Sequence, residues 1–452
     1  MKKGLGYTAR FAAVETLTRW GESQSRSMAL IFTELARELA PDERRLARTL
    51  VYGVLRQQNV LDAVIADYSS HPLKKMKVRT LMTLRIGVYQ LLFLTRIPDS
   101  AAVNATVNTL KEAGQPRWLI GFVNGLLRKV AGERAGLGRF CLDSAGEPLP
   151  NHPLWLCNRW QKRFGHEQAR AICAVNNMEP PLSLRVNTRR ISRGDFVDLL
   201  NKSGIGCRKS QLSPVGVEVI GYPGPITTLT GYVEGFFQVQ DDAAQLASFL
   251  IKKDSEPLRV LDACAGLGGK TSHLVEILPP GSTVRALEPD ERRYSLLTEN
   301  LHRLGHLAQA QTLRSTLEDF VGMVRPRPYD ALFVDAPCSG TGVIRRQPDI
   351  RWNRLEKDLL NYQKGQLALL TCASAILKPG GIMVYATCSL EEEENEQVIE
   401  QFLAGSPQMY KEDATAFLPE SAHSLTNEKG DFAPLPLDGC DGFFACRLRR
   451  HL

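Results

Sequence analysis

The sequence predicts an α/β protein in which a doubly wound, largely parallel sheet follows an all-α domain and a small α+β module. Three observations predict it. From about Tyr7 to Glu133, apolar residues recur at three- and four-residue spacings through segment after segment, the mark of amphipathic helices. After Ser255, short and nearly continuous apolar runs (RVLDAC, TVRALEP, YDALFVDAP, GGIMVYATCS) alternate with amphipathic stretches, as strands buried on both faces alternate with covering helices. Glycines gather directly behind the first of those runs, in LDACAGLGGKT, at the sheet edge where such folds hold ligands.

Length and composition set outer bounds. At 452 residues the chain exceeds what one core usually serves, and domains are expected at 1–135, 150–240 and 241–452. With 43% hydrophobic and 23% charged residues it is neither disordered nor fibrous. No apolar run reaches the roughly 18–20 residues that span a bilayer; the longest, near Leu81 to Leu94, is interrupted by Arg85 and Gln90. MKKGLGYTARF carries charge but lacks the apolar stretch of a secretory signal, so a cytoplasmic location is expected. Ten cysteines lie scattered without a CxxC pair or a His-rich partner segment, which disfavours zinc and, in a reducing compartment, disulfides. No metal and no membrane partner are expected. A net charge of +7 suits a polyanionic partner or simply a solvated surface.

In chain order, TARFAAVETLTRW, RSMALIFTELARELA, DERRLARTLVYGVLRQ and VRTLMTLRIGVYQLLFL read as helices, with Asp42 and Ser100 as N-caps and Pro41, Pro72, Pro98 and Pro116 as punctuation. Lys74, Lys75, Lys77 and Arg79 face either water or a phosphate backbone. Ala135 to Pro153, rich in Gly and Pro, reads as a linker. HPLWLCNRWQKRF and HEQARAICAVNN then read as helices, LSLRVNT as a strand and RGDFVDLLNKSG as a helix closed by Gly204. Arg185, Asn187, Arg189 and Arg190 carry phosphate or line an exposed strand edge. In the last region KTSHLVEIL, ERRYSLLTENLHRLG, EKDLLNYQKGQLALLTCASAIL and ENEQVIEQFL are the helices, AQTLR is a further strand, and GFFACRL closes the chain as a final strand.

Chemistry gathers at three strand ends. In LDACAGLGGKT, Gly266, Gly268 and Gly269 let backbone approach a ligand at the positive end of a helix. Cys264 stands where a P-loop needs its first glycine, and Thr271 where the dinucleotide pattern needs its last, so neither ATP nor NAD is favoured. The loop suits an adenosine cofactor without pyrophosphate, such as S-adenosylmethionine. Glu288, about twenty residues on at the tip of the second strand, is positioned to accept from ribose hydroxyls; a solvated strand-end acid is the alternative. Asp335 and Cys338 follow the ALFVDAP strand and Cys388 follows the YATCS strand. Two thiols delivered to one sheet edge lack the further ligands of a metal site, and a nucleophile remains. Carbon 5 of cytosine accepts an activated methyl group only after a thiol adds at carbon 6, and a carboxylic acid near ring nitrogen 3 stabilises that adduct.

LDACAGLGGKT, VDAPCSGTGVIRRQPDIRW, YATCS with EENEQVIEQFL, and DGFFACRL resemble the motifs of the RNA cytosine-5 methyltransferases. RFAAVETL, LVYGVLR, IGVYQLLFL, AAVNATVNTLK and FVNGLLRKV are similar to the NusB-like helical RNA-binding domain of the members that act on 16S rRNA. The resemblance covers nearly the whole chain. It implies a Rossmann-like S-adenosylmethionine-dependent domain and, as partner, 16S rRNA of an unassembled or partly assembled small subunit, met by a monomer with no role for DNA. It implies Cys388 as the nucleophile, Cys338 in product release, and Asp335 between cofactor and base. It assigns Cys264, Ala265, Gly266, Leu267, Gly268, Gly269, Lys270 and Glu288 to the cofactor, and Arg185, Asn187, Gln240, Asp241, Arg345 and Arg346 to the RNA path. The residues alone do not choose between the two thiols.

Three departures stand out. The family's CAAPGGKT carries Gly266-Leu267 here, a looser turn than proline gives. Its second-strand Asp is Glu288. Its aspartate after the third strand falls at Thr316, which can hydrogen-bond a base edge only without a carboxylate, unless Glu318 or Asp319 substitutes. A transfer-RNA cytosine-5 methyltransferase and a non-catalytic RNA-binding assembly factor are the rival expectations.

Overall fold

A computed structural model describes residues 8–23, 27–252, 256–323 and 327–452. The MKKGLGY start, and with it the reading of a missing leader, lies outside the described residues. The chain divides into two compact units, Met1–Met178 with Gln347–Asn353, and Glu179–Arg346 with Arg354–Leu452.

The first unit is helical. Helices Ala9–Ser23, Met28–Leu35, Pro41–Arg56, Gln58–Tyr68, Val78–Phe93, Asp99–Glu112 and Arg117–Gly132 share a core that includes Leu17, Leu50, Leu61, Ile86 and Leu127. Val78–Phe93, the longest apolar run, lies inside it, and the two polar residues that interrupt the run are satisfied there. Arg85 donates to both oxygens of Asp62 at 2.8 and 2.7 Å, and Gln90 donates to Thr106 Oγ1 at 2.8 Å. Close packing demands glycine at two points: a Cβ on Gly53 would lie 2.1 Å from the Tyr89 ring, and one on Gly87 2.6 Å from Leu127. Two expected caps move. Ala40 precedes the third helix with Pro41 at its first position, so Asp42 sits in the first turn, and Pro98 precedes the helix that begins at Asp99. Proline's fixed φ starts the third helix before Asp42 is reached, and the helix behind Pro98 begins one residue ahead of Ser100. Nor is 135–153 a free linker, because its 3₁₀ segment Arg134–Cys141 buries Leu137 and a bridge joins Leu142 to Pro148. Helices Leu154–Phe164 and His166–Asn176 complete the unit. The segment 347–353 packs with them: buried Arg351 donates to Asn151 O, Asn176 O and Asn177 Oδ1 at 2.9, 2.8 and 2.5 Å, and Trp352 Nε1 donates to Leu55 O at 2.7 Å.

The second unit holds two sheets. Strands β1 (Leu182–Val186), β2 (Cys207–Lys209), β3 (Gly216–Val219) and β4 (Phe237–Val239) form an antiparallel sheet in the order β2-β3-β1-β4. Helix Arg193–Lys202 covers it, started by Ser192, whose Oγ accepts from the Asp195 amide at 3.1 Å. The larger sheet contains β5 (Arg259–Asp262), β6 (Thr283–Leu287), β7 (Ala310–Leu313), β8 (Tyr329–Asp335), β9 (Leu377–Thr387), β10 (Met409–Glu412) and β11 (Phe444–Arg450), in the order β10-β11-β9-β8-β5-β6-β7. β5 to β9 are parallel; β11 inserts antiparallel between β9 and β10.

Alternate residues of the parallel strands feed two separate cores. Val260, Phe333 and Val384 join Leu274 and Leu297 on one face, while Leu261, Leu332 and Tyr385 join Leu370 and Phe402 on the other. Burial on both faces is why these strands read as continuous apolar runs. The chain leaves β5 toward β6 on one side and has β8 on the other, so the strand order reverses beside the carboxyl end of β5, where such sheets bind ligands. Among the elements that escaped the sequence reading, strand β10 and the seven-residue helix Leu317–Met323 are too short for their periodicity to show.

Candidate functional site

β5 ends at Asp262, which is fully buried and accepts from Thr271 Oγ1 at 2.7 Å, tying the strand to the helix Gly269–Ile277. Burial pushes its carboxyl up to about 6, opposed by the Thr271 hydrogen bond and reinforced by nearby Asp335. Between strand and helix, Gly266 and Gly268 hold φ of +56° and +84°. Their needs differ. A Cβ on Gly268 would strike Leu297 at 2.6 Å, whereas one on Gly266 would have no neighbour within 4 Å, so its bare side opens a cradle. Ala265 is buried and its amide donates to Leu287 O at 2.9 Å, fixing the turn against the end of β6. Leu267 is exposed, and its carbonyl accepts from Asn300 Nδ2 at 3.0 Å. Cys264 is an inert thiol, its pKa raised first by burial and then by surrounding carboxylates. At the tip of β6, Glu288 is 3% exposed and its Oε1 meets the Asp290 amide at 2.9 Å and Arg293 at 3.0 Å. An open glycine turn beside a buried acid fits an adenosine-type cofactor. Thr316 Oγ1 accepts from the Asp319 amide at 3.0 Å, so this hydroxyl starts the helix Leu317–Met323 and keeps its proton and one lone pair for a ligand; Glu318 and Asp319 are exposed.

At the end of β8, Asp335 Oδ2 accepts from Lys270 Nζ at 2.6 Å, and the ammonium lies 5.2 Å from the centre of the Phe443 ring. Burial works against the charge on Lys270, but Asp335 outweighs it by charge and hydrogen bond and holds the pKa above its ordinary value. β8 and β9 run parallel with Asp335 opposite Ala386, so the loops that follow emerge side by side. They bring Cys338 Sγ to 3.2 Å from Cys388 Sγ, both half-buried. The hydrogen bond to Cys388, then burial, then the charges of Cys388, Glu394 and Asp335 raise the Cys338 pKa well above the usual thiol value. A third loop closes the wall. Gly342 N donates to Cys388 O and Gly442 N to Gly342 O, both at 2.9 Å, and a Cβ on Gly342 would lie 2.1 Å from Gly442 O. One participant was not foreseen: Glu394, fully buried, accepts from Ser339 and Ser389, the residues after the two cysteines. Although it falls within the motif EENEQVIEQFL, nothing marks it out from its neighbours, because four successive acids read as a solvated face.

Of the residues expected along the RNA path, Arg185, Asn187 and Gln240 are buried struts instead. Arg185 is fully buried and donates to Glu276 at 3.1 and 2.9 Å, to Ser272 Oγ at 2.8 Å and to Gly269 O at 2.6 Å, bracing the helix behind the glycine turn. Its partner Gln240 is also buried. Asn187 is buried too, bonded to Gly235 O and Leu304 O. β1 is an inner strand of its sheet, and this overturns the exposed-edge reading. Arg346 bridges Asp241 at 2.6 Å and Asp441 at 2.5 Å, while Arg345 donates to Glu179 O at 2.9 Å. In the first unit Lys74, Lys75 and Lys77 are exposed, while Arg79 pairs with Glu15 at 2.7 Å. A groove of about 400 Å³ runs along Lys75, Lys77, Trp118 and Phe122, with Trp118 72% exposed. Among the described residues no helix is long and apolar enough to cross a membrane.

Comparison with known proteins agrees with this geometry. The family described as 16S rRNA methyltransferase RsmB/F matches residues 247–449, the NusB family residues 7–132, and an RsmF/B-like ferredoxin-like domain residues 152–225. The fold and these matches define a methyltransferase with a Rossmann-like domain and a NusB-like one. The crystal structure of PH0851 shares the fold over all of both chains, with a TM-score of 0.79 at 22% identity. A methyltransferase homolog protein from Pyrococcus horikoshii matches 65% of this chain and 93% of its own, with a TM-score of 0.54 at 29% identity. Probable ribosomal RNA small subunit methyltransferase B of Bacillus subtilis is 31% identical over 98% of this chain and 99% of its own. Ribosomal RNA small subunit methyltransferase B of Photorhabdus laumondii is 36% identical over 94% and 95%. The chain belongs to the ribosomal RNA small subunit methyltransferase B family.

Proposed function

We propose that this protein methylates carbon 5 of a cytosine in 16S rRNA, using S-adenosylmethionine and a covalent bond between Cys388 and carbon 6 of the base. The observation that carries the reading is the pair of sulfurs 3.2 Å apart at the same sheet edge as the Lys270–Asp335 ion pair. When bound, the cofactor supplies an electrophilic methyl group. Gly266, Gly268 and Lys270 of the turn and Glu288 are the residues we assign to it, with Thr316 donating its hydroxyl proton to the adenine edge. Asp335 orients the cytosine at its ring nitrogen 3 and exocyclic amine, and Lys270 fixes Asp335. Cys388 adds as thiolate to carbon 6, the ring electrons moving toward nitrogen 3, so that carbon 5 becomes nucleophilic. After methylation a base takes the carbon 5 proton, the S–C6 bond breaks and the Cys388 thiolate returns; we assign this release to Cys338, whose thiolate form accepts that proton.

The thiol reaches the ring only if the cytosine leaves its stack, so accessible or partly folded rRNA is the expected substrate, met by a cytoplasmic monomer. Residues 1–135 and 150–240 would bind RNA and 241–452 would catalyse; the basic, aromatic groove beside Trp118 supports the first assignment. Cys388→Ala is expected to abolish methyl transfer and form no protein–RNA adduct, while Cys338→Ala accumulates one on denaturing gels. An adduct in the Cys388 variant would reverse the two roles. Bisulfite mapping of RNA from a deletion strain separates the rivals: a lost mark in transfer RNA points to the other substrate, and unchanged marks together with defective subunit assembly point to a non-catalytic factor.

A further inference from the structure

Between the two cysteine loops lies a carboxylate that the reaction above leaves unused. Glu394 Oε1 accepts from the Ser339 amide at 2.8 Å and from Gln366 Nε2 at 3.1 Å, and Oε2 accepts from the hydroxyls of Ser389, at 2.5 Å, and Ser339. Four donors on two oxygens suit an ionised, acceptor-only group. These donors are neutral, and burial raises the pKa while the hydrogen bonds draw it back. Desolvating a carboxylate is expensive, and an apolar side chain would fill the space more cheaply. What an apolar side chain would lack is the bridge. Ser339 directly follows Cys338 and Ser389 directly follows Cys388, so one carboxylate fastens both loops at the residue beside each sulfur. The neighbouring backbone is pinned as well: Tyr385 Oη donates to Glu394 O at 2.6 Å, and the Asn395 side chain joins Thr387 Oγ1, at 2.6 Å, to Ser389 O, at 2.9 Å.

We propose that Glu394 is a positioning residue for the thiol pair, strapping the PCSG and TCS loops together through Ser339 and Ser389 and thereby setting the 3.2 Å between Cys338 and Cys388. Its link to methyl transfer rests on the function proposed above; the strap itself does not. The Glu394 charge is also among those that raise the Cys338 pKa, behind the hydrogen bond to Cys388, burial and the charge of Cys388.

The test uses the purified full chain, Glu394→Gln and the double variant Ser339→Ala/Ser389→Ala, with two readouts. In the first, diamide takes up the two thiol hydrogens as the 338–388 disulfide forms, and peptide mapping follows the rate. In the second, kcat and KM are measured with S-adenosylmethionine and a 16S rRNA fragment. Glu394→Gln is expected to slow disulfide formation about tenfold and to lower kcat about tenfold to a hundredfold, with KM nearly unchanged, because small misplacements of reacting groups have effects of that size. If Glu394→Gln does not fold, the double variant is expected to show the same pattern. Wild-type rates of disulfide formation in a folded variant overturn the proposal, as does a loss of kcat that only tracks the loss of folded protein. Slower disulfide formation in a chain whose wild type transfers no methyl group leaves the strap standing and removes the proposed function instead.

Discussion

Two completely buried arginines, one taken from each unit, solve the same problem differently. Arg185, in the second unit, lies against both oxygens of Glu276. Arg351, in the first, has backbone carbonyls and one amide oxygen as its hydrogen-bond acceptors. Burial pulls the Arg351 pKa down to about 9, the direction expected of a cation desolvated without a carboxylate against it. A charge placed against an opposite charge makes a stiff brace that is ruinous to break. A charge placed against dipoles fixes where chain segments go and costs less to remove. The brace stands behind the glycine turn, where small displacements matter most.

Breaking the brace has the largest expected effect. Arg185→Met leaves buried Glu276 with only the His306 ring nitrogen, at 3.1 Å, as its side-chain partner and is expected to cost about 3–5 kcal/mol in denaturant unfolding. Because Arg185 also holds Gly269 O, calorimetry is expected to show weakened S-adenosylmethionine binding in any folded protein that remains. A buried carboxylate with a hydroxyl for its partner sharpens the contrast. The folded-state pKa of Asp262 lies near 6, above its unfolded value, so the folded state holds the proton more tightly; this contribution is complete below about pH 4 and is lost as pH rises through 6. Relative to Asp262→Asn, the wild type is expected to lose on the order of 2–3 kcal/mol between pH 4 and 7 in thermal melts. Arg351→Met comes next, at about 1–3 kcal/mol for its abandoned acceptors, with cofactor binding unchanged. Equal losses at 185 and 351 would erase the distinction between brace and anchor. An exposed cation marks the lower end: Lys75→Ala is expected to leave the melting temperature in place while lowering by about one the slope of log affinity against log salt for rRNA fragments.

The doubly wound sheet was legible because apolar runs such as ALFVDAP can only be strands covered on both sides. Strand β10 and helix Leu317–Met323 were not, since four and seven residues carry too little periodicity. Cys338 and Cys388 could be expected near each other because each ends a strand of one sheet. Lys270 was legible as part of the turn but not as the partner of Asp335, which lies far along the chain. Arg185 was misread for the same reason: its charge is visible in LSLRVNT, but the carboxylate that absorbs it is Glu276, which no local pattern connects to it. Glu394 was hidden by its neighbours, three other acids in the same run.

The contact of Gly442 with Gly342 has a bearing on synthesis. The wall beside the sulfurs is closed by residues just ahead of β11, itself the last strand and one that must thread between two strands already made. A polypeptide emerging from its amino end therefore carries both cysteines before it carries the residues that close the wall beside them.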